Sequence, residues 1–334
     1  MSLPIEYPYQ PMEAETADEL PASRGWLFEP KWDGFRSLVF RDGDEVRIQS
    51  KASKPLERYF PDVVEAVRAL PARRFVLDGE IVIPVDGRLS FDELLLRVHP
   101  AESRVRTLAA AHPARFIAFD LLADERGNAL VDLSLEERRP KLEAFGKRHF
   151  GRGARIEVST ATKSRATAEK WLEGGGDGDL DGVIAKRLDL PYRSGERDGM
   201  IKVKRRRTAD CVVGGFRYAS RGRQVGSLLL GLYDAEGLLH HVGFSSSLPT
   251  EVRRGLTERL ERLVEPPGFT GRAPGGPSRW STERSAEWQP LRPELVVEVE
   301  YDHVSGGRFR HGTKFLRWRP DKAPRQCTTR QIER

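Results

Sequence analysis

The sequence predicts an α+β protein of two domains: strands alternating with helices over residues 1–205, then an OB-fold β-barrel over 206–334. Three observations predict it. The 334 residues exceed what one hydrophobic core usually holds. Strand-like and helical runs alternate up to residue 205, whereas five short strand-like runs with one intervening helix follow, the count of an OB-fold. Charge divides at the same place, with 23 Lys/Arg against 15 Asp/Glu from Arg205 onward and 33 against 35 before it.

The elements follow in order. "LFEPKWDGFRSLVF" (27–40) is strand-like, rich in Leu, Phe, Trp and Val, yet places Lys31 between a proline and a tryptophan. "DVVEAVRAL" (62–70) puts Val63, Val67 and Leu70 on one helical face. "RFVLDGEIVIP" (74–84) has period two, with Leu77, Ile81 and Ile83 on one face and Asp78, Glu80 and Val82 on the other. "FIAFDLL" carries Phe119 and Asp120. "SLEERRPKLEAF" opens as a capping box, Ser134 with Glu137 three residues on. "DGVIAKR" and "MIKVK" are short strands, the latter with Lys202 and Lys204 on one face. The basic run "KVKRRR" leads through "KRRRTAD", a plausible hinge, into "CVVGGFRY", "SLLLGLYD", "HHVGFSS", "LVVEVEYDHV" and "TKFLRWRP". A single helix is expected in "TEVRRGLTERLERLV", with Leu256, Leu260 and Leu263 on a face. A Pro/Gly-rich loop, "EPPGFTGRAPGGPSRWSTERSAEW", follows it, and no internal repeat is visible.

Several classes are excluded. No run of about 18 apolar residues and no cleavable leader pattern occurs, so membrane insertion and secretion are not expected. The two cysteines, Cys211 and Cys327, are too few for a four-cysteine zinc site and read as reduced thiols in an intracellular protein. There is no P-loop, no G-x-S-x-G elbow and no H-E-x-x-H. "GGGDGDLDG" lacks the third glycine and preceding strand of a dinucleotide fingerprint. Read as a calcium loop from Asp177, it has Leu188 where a bidentate glutamate is required. His240 and His241 read as a strand exit. A net charge of +6 and a pI of about 9.4, with the surplus in the C-terminal third, point to a polyanionic partner there.

Any one lysine on a strand is ordinarily a solvated one. Here, however, Lys31, Glu80, Asp120, Asp181, Lys202 and Lys204 all interrupt apolar strands, where charge is costly unless paired or coordinating. Together they suggest one charged cleft. Lysine attacks only when neutral, and that form costs roughly 4 kcal/mol at pH 7.5. Lys202 and Lys204, with a divalent metal, would lower the pKa of Lys31 and neutralise a phosphate. Glu80 and Asp181 are the hard oxygen ligands Mg²⁺ prefers, and Phe119 could stack on a base. The chemistry inferred is attack of a lysine amine on a nucleotide phosphate, giving a phosphoramidate.

These residues carry a resemblance. "KWDGFR" (Lys31, Asp33, Gly34, Arg36) resembles the first signature of the covalent nucleotidyltransferases, a superfamily of ATP-dependent DNA ligases, RNA ligases and capping enzymes. "LDGEIV", "AFDLL", "DGVIAKR", "MIKVK" and "FLRWRPDKAP" follow in the superfamily's order, from Lys31 to Lys322. "RYFPD", "HPAESRVR", "RTADCVVGGF" and "RFRHGTKFLRWRPDKAP" are most similar to bacterial ATP-dependent DNA ligases of the LigC type, related to the ligase module of LigD. The resemblance implies an adenylation domain with ATP-grasp-like antiparallel sheets and helices, followed by the OB domain. It implies three steps: Lys31 takes AMP from ATP, AMP passes to the 5′-phosphate of a nick, and the 3′-hydroxyl displaces it.

By matching position, the resemblance assigns Glu29 to adenine, Arg36 to ribose and nick phosphate, Glu80 to ribose or metal, and Phe119 to the adenine face. Asp181 goes to the metal, Arg197 near the nucleotide, and Lys202 and Lys204 to the α-phosphate. Arg319, Asp321 and Lys322 would orient pyrophosphate once the OB domain closes over ATP; it then opens for DNA. Two departures stand out. Lys51 replaces an expected arginine and loses its planar fork, and Asp181 replaces glutamate. The implied co-substrate and metal are ATP and Mg²⁺ or Mn²⁺. The implied setting is a monomer in the cytoplasm acting on nicked double-stranded DNA in repair, in association with DNA-end-binding proteins, with "RYASRGRQ" (Arg217, Arg221, Arg223) as a DNA-binding loop. An RNA ligase, a capping-type transferase and a catalytically silent nucleic-acid-binding module remain as alternatives.

Overall fold

The computed structural model describes residues 3–151, 153–174, 180–275 and 287–333. The chain divides into two compact units, Met1–Arg205 and Arg206–Arg334.

Among the described residues the first unit holds two large sheets, besides the two-stranded pair Pro84–Val85 and Arg88–Leu89. Five strands run in the order Glu45–Ser50, Phe35–Asp42, Arg74–Val82, Arg115–Ala123, Ile156–Val158. Four more run Glu15–Ala17, Met200–Lys204, Gly182–Arg187, Trp26–Lys31. Each sheet is antiparallel except at one edge, where Ile156–Val158 and Glu15–Ala17 pair in parallel with their neighbours. The sheets are antiparallel as expected, with a short parallel strand added at one edge of each.

The central strand Arg74–Val82 explains why a cleft forms beside a dry core. On one side, Phe75, Leu77 and Ile81 join Val63 and Val67 of helix Pro61–Arg68 in an apolar cluster. Val76 faces the other way, packing with Leu38, Phe40, Tyr192 and Met200. Strand alternation puts Asp78 and Glu80 on that second side. Helix Leu135–His149 begins as expected: the Glu137 carboxylate accepts from the Ser134 backbone N–H at 3.0 Å and its hydroxyl at 2.7 Å.

One feature of this core is invisible to periodicity. Arg97, with no exposed surface, donates to both Asp62 oxygens at 3.2 and 3.0 Å and to the His112 carbonyl at 2.9 Å. Asp62 also accepts from the Ala114 N–H at 2.7 Å. The two charges are thereby paired in the core, with Arg97 Nε left as the one guanidinium nitrogen that has no hydrogen-bond partner.

In the second unit the strands Val225–Tyr233, Leu239–Ser247, Thr313–Trp318, Val296–Tyr301 and Arg207–Tyr218 follow one another, and Val225–Tyr233 pairs again with Arg207–Tyr218. That last pairing closes the barrel, removing its open edges. Thr313–Trp318 lies parallel to Leu239–Ser247. The single helix expected at 250–264 is instead two short ones, Thr250–Arg253 and Leu256–Glu261. Gly255, at φ +68°, interrupts them. The Arg253 guanidinium folds back onto the carbonyls of Leu248 and Ser246 at 3.0 and 3.1 Å, fixing the first turn separately. Leu256 and Leu260 are buried as expected. His240 and His241 sit inside a strand rather than at its exit. Both cysteines are free and buried. Among the described residues no helix is long and apolar enough to cross a membrane. Asp177 and Asp179 of "GGGDGDLDG" lie outside the described residues.

Candidate active site

Lys31 ends strand Trp26–Lys31, whose neighbour Gly182–Arg187 places Gly182 opposite it. That register brings Asp181 to the lysine: Lys31 Nζ donates to Asp181 Oδ2, and the Asp181 N–H donates to the Lys31 carbonyl at 3.2 Å. Gly34 has a steric purpose. A Cβ there would lie 2.2 Å from the Ile81 carbonyl oxygen and 2.8 Å from Glu80 Cγ, so only glycine lets the chain after Lys31 pass over the strand bearing Glu80.

Lys31, Arg36, Glu80, Phe119 and Lys202 line one cleft of about 240 Å³, together with Glu29 and Lys51. The residues come from both sheets of the first unit. Burial works to lower the pKa of the Lys31 ammonium, but Asp181, Glu80 and Asp33 outweigh it and hold it above the ordinary lysine value. The protein's own groups thus favour the charged form of Lys31, whereas the lowering expected at this lysine includes a divalent metal beside Lys202 and Lys204. Lys202 is the lysine whose pKa falls, through burial and through its cationic neighbours Lys51, Lys31, Lys204 and Arg197. Burial pushes the Glu80 carboxyl up to about 8.

Other groups reach the cleft already engaged. Glu29 is buried, with Oε1 taken by Arg139 at 3.2 Å and Oε2 by Lys186 at 3.0 Å. Arg36 is held by both oxygens of buried Asp78, at 3.1 and 2.7 Å, and Asp78 also accepts from the Tyr192 hydroxyl at 2.7 Å. Phe119 has Lys186 Nζ 4.4 Å and the Arg36 guanidinium 5.2 Å from its ring centre, cation–π geometry in both cases. Lys51 and Arg197 meet at Glu13, whose Oε2 lies 3.1 and 2.9 Å from them. The Lys51 bond leads in holding the Glu13 carboxyl below the usual range. Lys204 lies two residues beyond Lys202 on the same strand, opposite Gly182.

Glu80 and Asp181 supply hard oxygen donors that both act on Lys31. Among the described residues no group of three or more His, Cys, Asp or Glu gathers to hold a metal. A pair of carboxylates completed by water and phosphate oxygens is the manner in which Mg²⁺ binds at nucleotide sites, so the donor set fits that ion.

In the second unit, Arg319, Asp321 and Lys322 form their own cluster. Arg319 Nε and Nη2 grip Asp321 at 3.0 and 2.9 Å, while Nη1 reaches Asp210 at 2.8 Å. Lys322 Nζ meets the other Asp210 oxygen at 2.7 Å. The Arg319 bonds draw the Asp321 carboxyl down to about 2. In the candidate DNA-binding loop, Arg223 pairs with Glu261 at 3.0 Å.

Sequence reasoning missed Glu13, Arg139, Lys186, Asp78 and Asp210. Lys186 and Asp78 stood inside quoted strands, as polar residues breaking an apolar run. Glu13 and Asp210 gave no such signal.

The fold and cleft define a nucleotide-handling enzyme with a lysine at its centre. Residues 11–204 match the ATP dependent DNA ligase domain, and residues 221–322 match the ATP dependent DNA ligase C terminal region. The chain belongs to the ATP-dependent DNA ligases, enzymes that use ATP and a divalent metal to join DNA. It is 45% identical over 355 residues to DNA ligase C2 of Mycolicibacterium smegmatis, covering 100% of this chain and 96% of that protein. It is 44% identical over 350 residues to DNA ligase C of Mycobacterium tuberculosis, with the same coverage. Among solved structures, one from a study of Lig E DNA ligases aligns with a TM-score of 0.53 at 17% identity, covering 93% of this chain and 99% of that one. This last likeness is one of fold.

Proposed function

We propose that this ligase seals nicks through a lysine–AMP intermediate on Lys31. The observation that carries the reading is the Lys31 amine held against Asp181 in a cleft lined by Glu80, Arg36 and Lys202. Lys31 Nζ bonds to the α-phosphorus of ATP as the bond to the bridging oxygen breaks, and pyrophosphate leaves with that electron pair. The ammonium proton has a waiting acceptor in Asp181 Oδ2. Glu80 and Asp181 would hold a divalent cation, whose charge would favour the neutral amine and neutralise the phosphates.

Lys202 and Lys204 balance charge at the α-phosphate. Phe119 offers its ring to adenine, and Arg36, fixed by Asp78, presents a preset guanidinium to ribose and nick phosphate. Glu29 serves adenine recognition by fixing Lys186 as well as by its own position. Lys51 and Arg197 sit at the cleft's edge for the outer phosphates. Met1–Arg205 is the adenylation domain and Arg206–Arg334 the OB domain, in which Arg319, Asp321 and Lys322 orient departing pyrophosphate. AMP then passes to the 5′-phosphate of a nick, and the 3′-hydroxyl displaces it. The enzyme acts as a monomer on nicked duplex DNA during repair in the cytoplasm, recruited by proteins that hold DNA ends.

Incubation with α-labelled ATP and Mg²⁺, before denaturing electrophoresis, tests the reading. Wild type is expected to carry the label and Lys31→Ala none. Label of equal strength on folded Lys31→Ala would refute it.

A further inference from the structure

Asp210 lies in "RTADCVVGGF", a run to which the resemblance assigned no role, yet both cations of the R-x-D-K motif converge on it. It lies on strand Arg207–Tyr218 and is 8% exposed. One carboxylate oxygen takes Arg319 Nη1 at 2.8 Å and the other takes Lys322 Nζ at 2.7 Å. Its backbone is clamped in both directions: the Asp210 N–H donates to Gln331 Oε1 at 3.0 Å, and Gln331 Nε2 donates to the Asp210 carbonyl at 3.0 Å. Asp321, by contrast, has a side chain 62% exposed and grips only the Nε and Nη2 edge of Arg319.

The two anions therefore have different characters. The Asp210 bonds are charge-assisted and shielded from water, which makes them strong and geometrically fixed. The Asp321 pair faces solvent, where such bonds are readily exchanged. If Asp321 turns away, the Nε and Nη2 edge of Arg319 becomes a planar two-pronged donor for a phosphate oxygen pair, while Nη1 stays on Asp210. Lys322 stays beside it on the same carboxylate.

We infer that Asp210 is a positioning residue that presets Arg319 and Lys322 as a receptor for the pyrophosphate of the first step. The inference rests on the reading of Lys31 as the site of adenylation. It predicts a step-specific defect, because the joining steps involve no pyrophosphate.

The test compares wild type, Asp210→Asn and Asp210→Glu in three assays: the rate of Lys31 adenylation from ATP, the pyrophosphate concentration needed to strip AMP from Lys31, and sealing of a nick synthesised with AMP already on its 5′-phosphate. Asp210→Asn is expected to slow adenylation by about 10- to 100-fold, the scale of a misplaced catalytic group, and to raise the pyrophosphate requirement. Sealing of the pre-adenylated nick is expected to change by less than about twofold. Asp210→Glu, which keeps the charge but shifts the carboxylate, is expected to show a smaller version of the same split; it carries the test if Asp210→Asn does not fold. Adenylation at the wild-type rate, or a parallel loss in all three assays together with a lower melting temperature, would overturn the inference. Absence of label on wild type itself would instead defeat the underlying reading of Lys31.

Discussion

Lys31 is a poor nucleophile as the chain alone holds it, because Asp181 favours its ammonium form. That restraint makes position as important as identity, and Gly34 sets the position. Gly34→Ala would push a methyl group into the Ile81 carbonyl. It is expected to cost about 1–3 kcal/mol in stability, the range for overpacking, and to slow adenylation at least about tenfold; urea titration and labelling rates measure the two effects. A second residue-scale prediction concerns His241, which is buried among Arg308, Arg217 and Arg272. Burial first, and those cations next, push its pKa from 6.5 to about 3. Between those values the unfolded chain binds the proton and the folded one does not, so stability falls as pH drops below 6.5. The slope is at most about 1.4 kcal/mol per pH unit. His241→Gln retains an acceptor for Arg308 but does not titrate, and its melting temperature is expected to vary less between pH 6.5 and 4. Equal acid sensitivity in both proteins would contradict the assignment.

At the scale of elements, the pair Asp62 and Arg97 ties helix Pro61–Arg68 to helix Phe91–Arg97. Asp62→Ala leaves a buried guanidinium unpaired and is expected to lose about 3–5 kcal/mol of unfolding free energy in urea; a loss below about 1 kcal/mol would contradict that role. The strands that build the cleft were legible in the sequence because their alternation is local: Leu77, Ile81 and Ile83 against Asp78 and Glu80 can be read from a dozen residues. Polar residues breaking those strands likewise pointed to Lys31, Glu80, Asp181 and Lys202. Which of these residues bond to one another, and the part played by Asp210, were not legible. Asp181 meets Lys31 across 150 positions, and Asp210 meets Lys322 across 112, distances over which only strand register decides contact. The helix expected at 250–264 failed for a related reason, since the tether of Arg253 to Leu248 and Ser246 is a tertiary bond that periodicity does not contain.

For the whole molecule, the surplus of positive charge from Arg205 onward suits a polyanionic partner such as DNA. Arg221 is exposed, and the Arg223 side chain is 82% exposed despite its bond to Glu261; a pair so placed yields readily to a phosphate. Replacing Arg217, Arg221 and Arg223 with alanine is expected to weaken nicked-duplex binding and to flatten its salt dependence by about 0.9 in log–log slope per lost contact. Adenylation of Lys31 should be unchanged, and an unaltered slope would remove this loop from the DNA-binding surface. The measurement that tests the central claim most directly is peptide mapping by mass spectrometry after reaction with ATP and Mg²⁺, followed by a chase with nicked duplex. The expected result is AMP on the peptide containing Lys31, lost in step with appearance of the sealed strand. AMP on another lysine, or an adduct on Lys31 that persists while nicks are sealed, would contradict it.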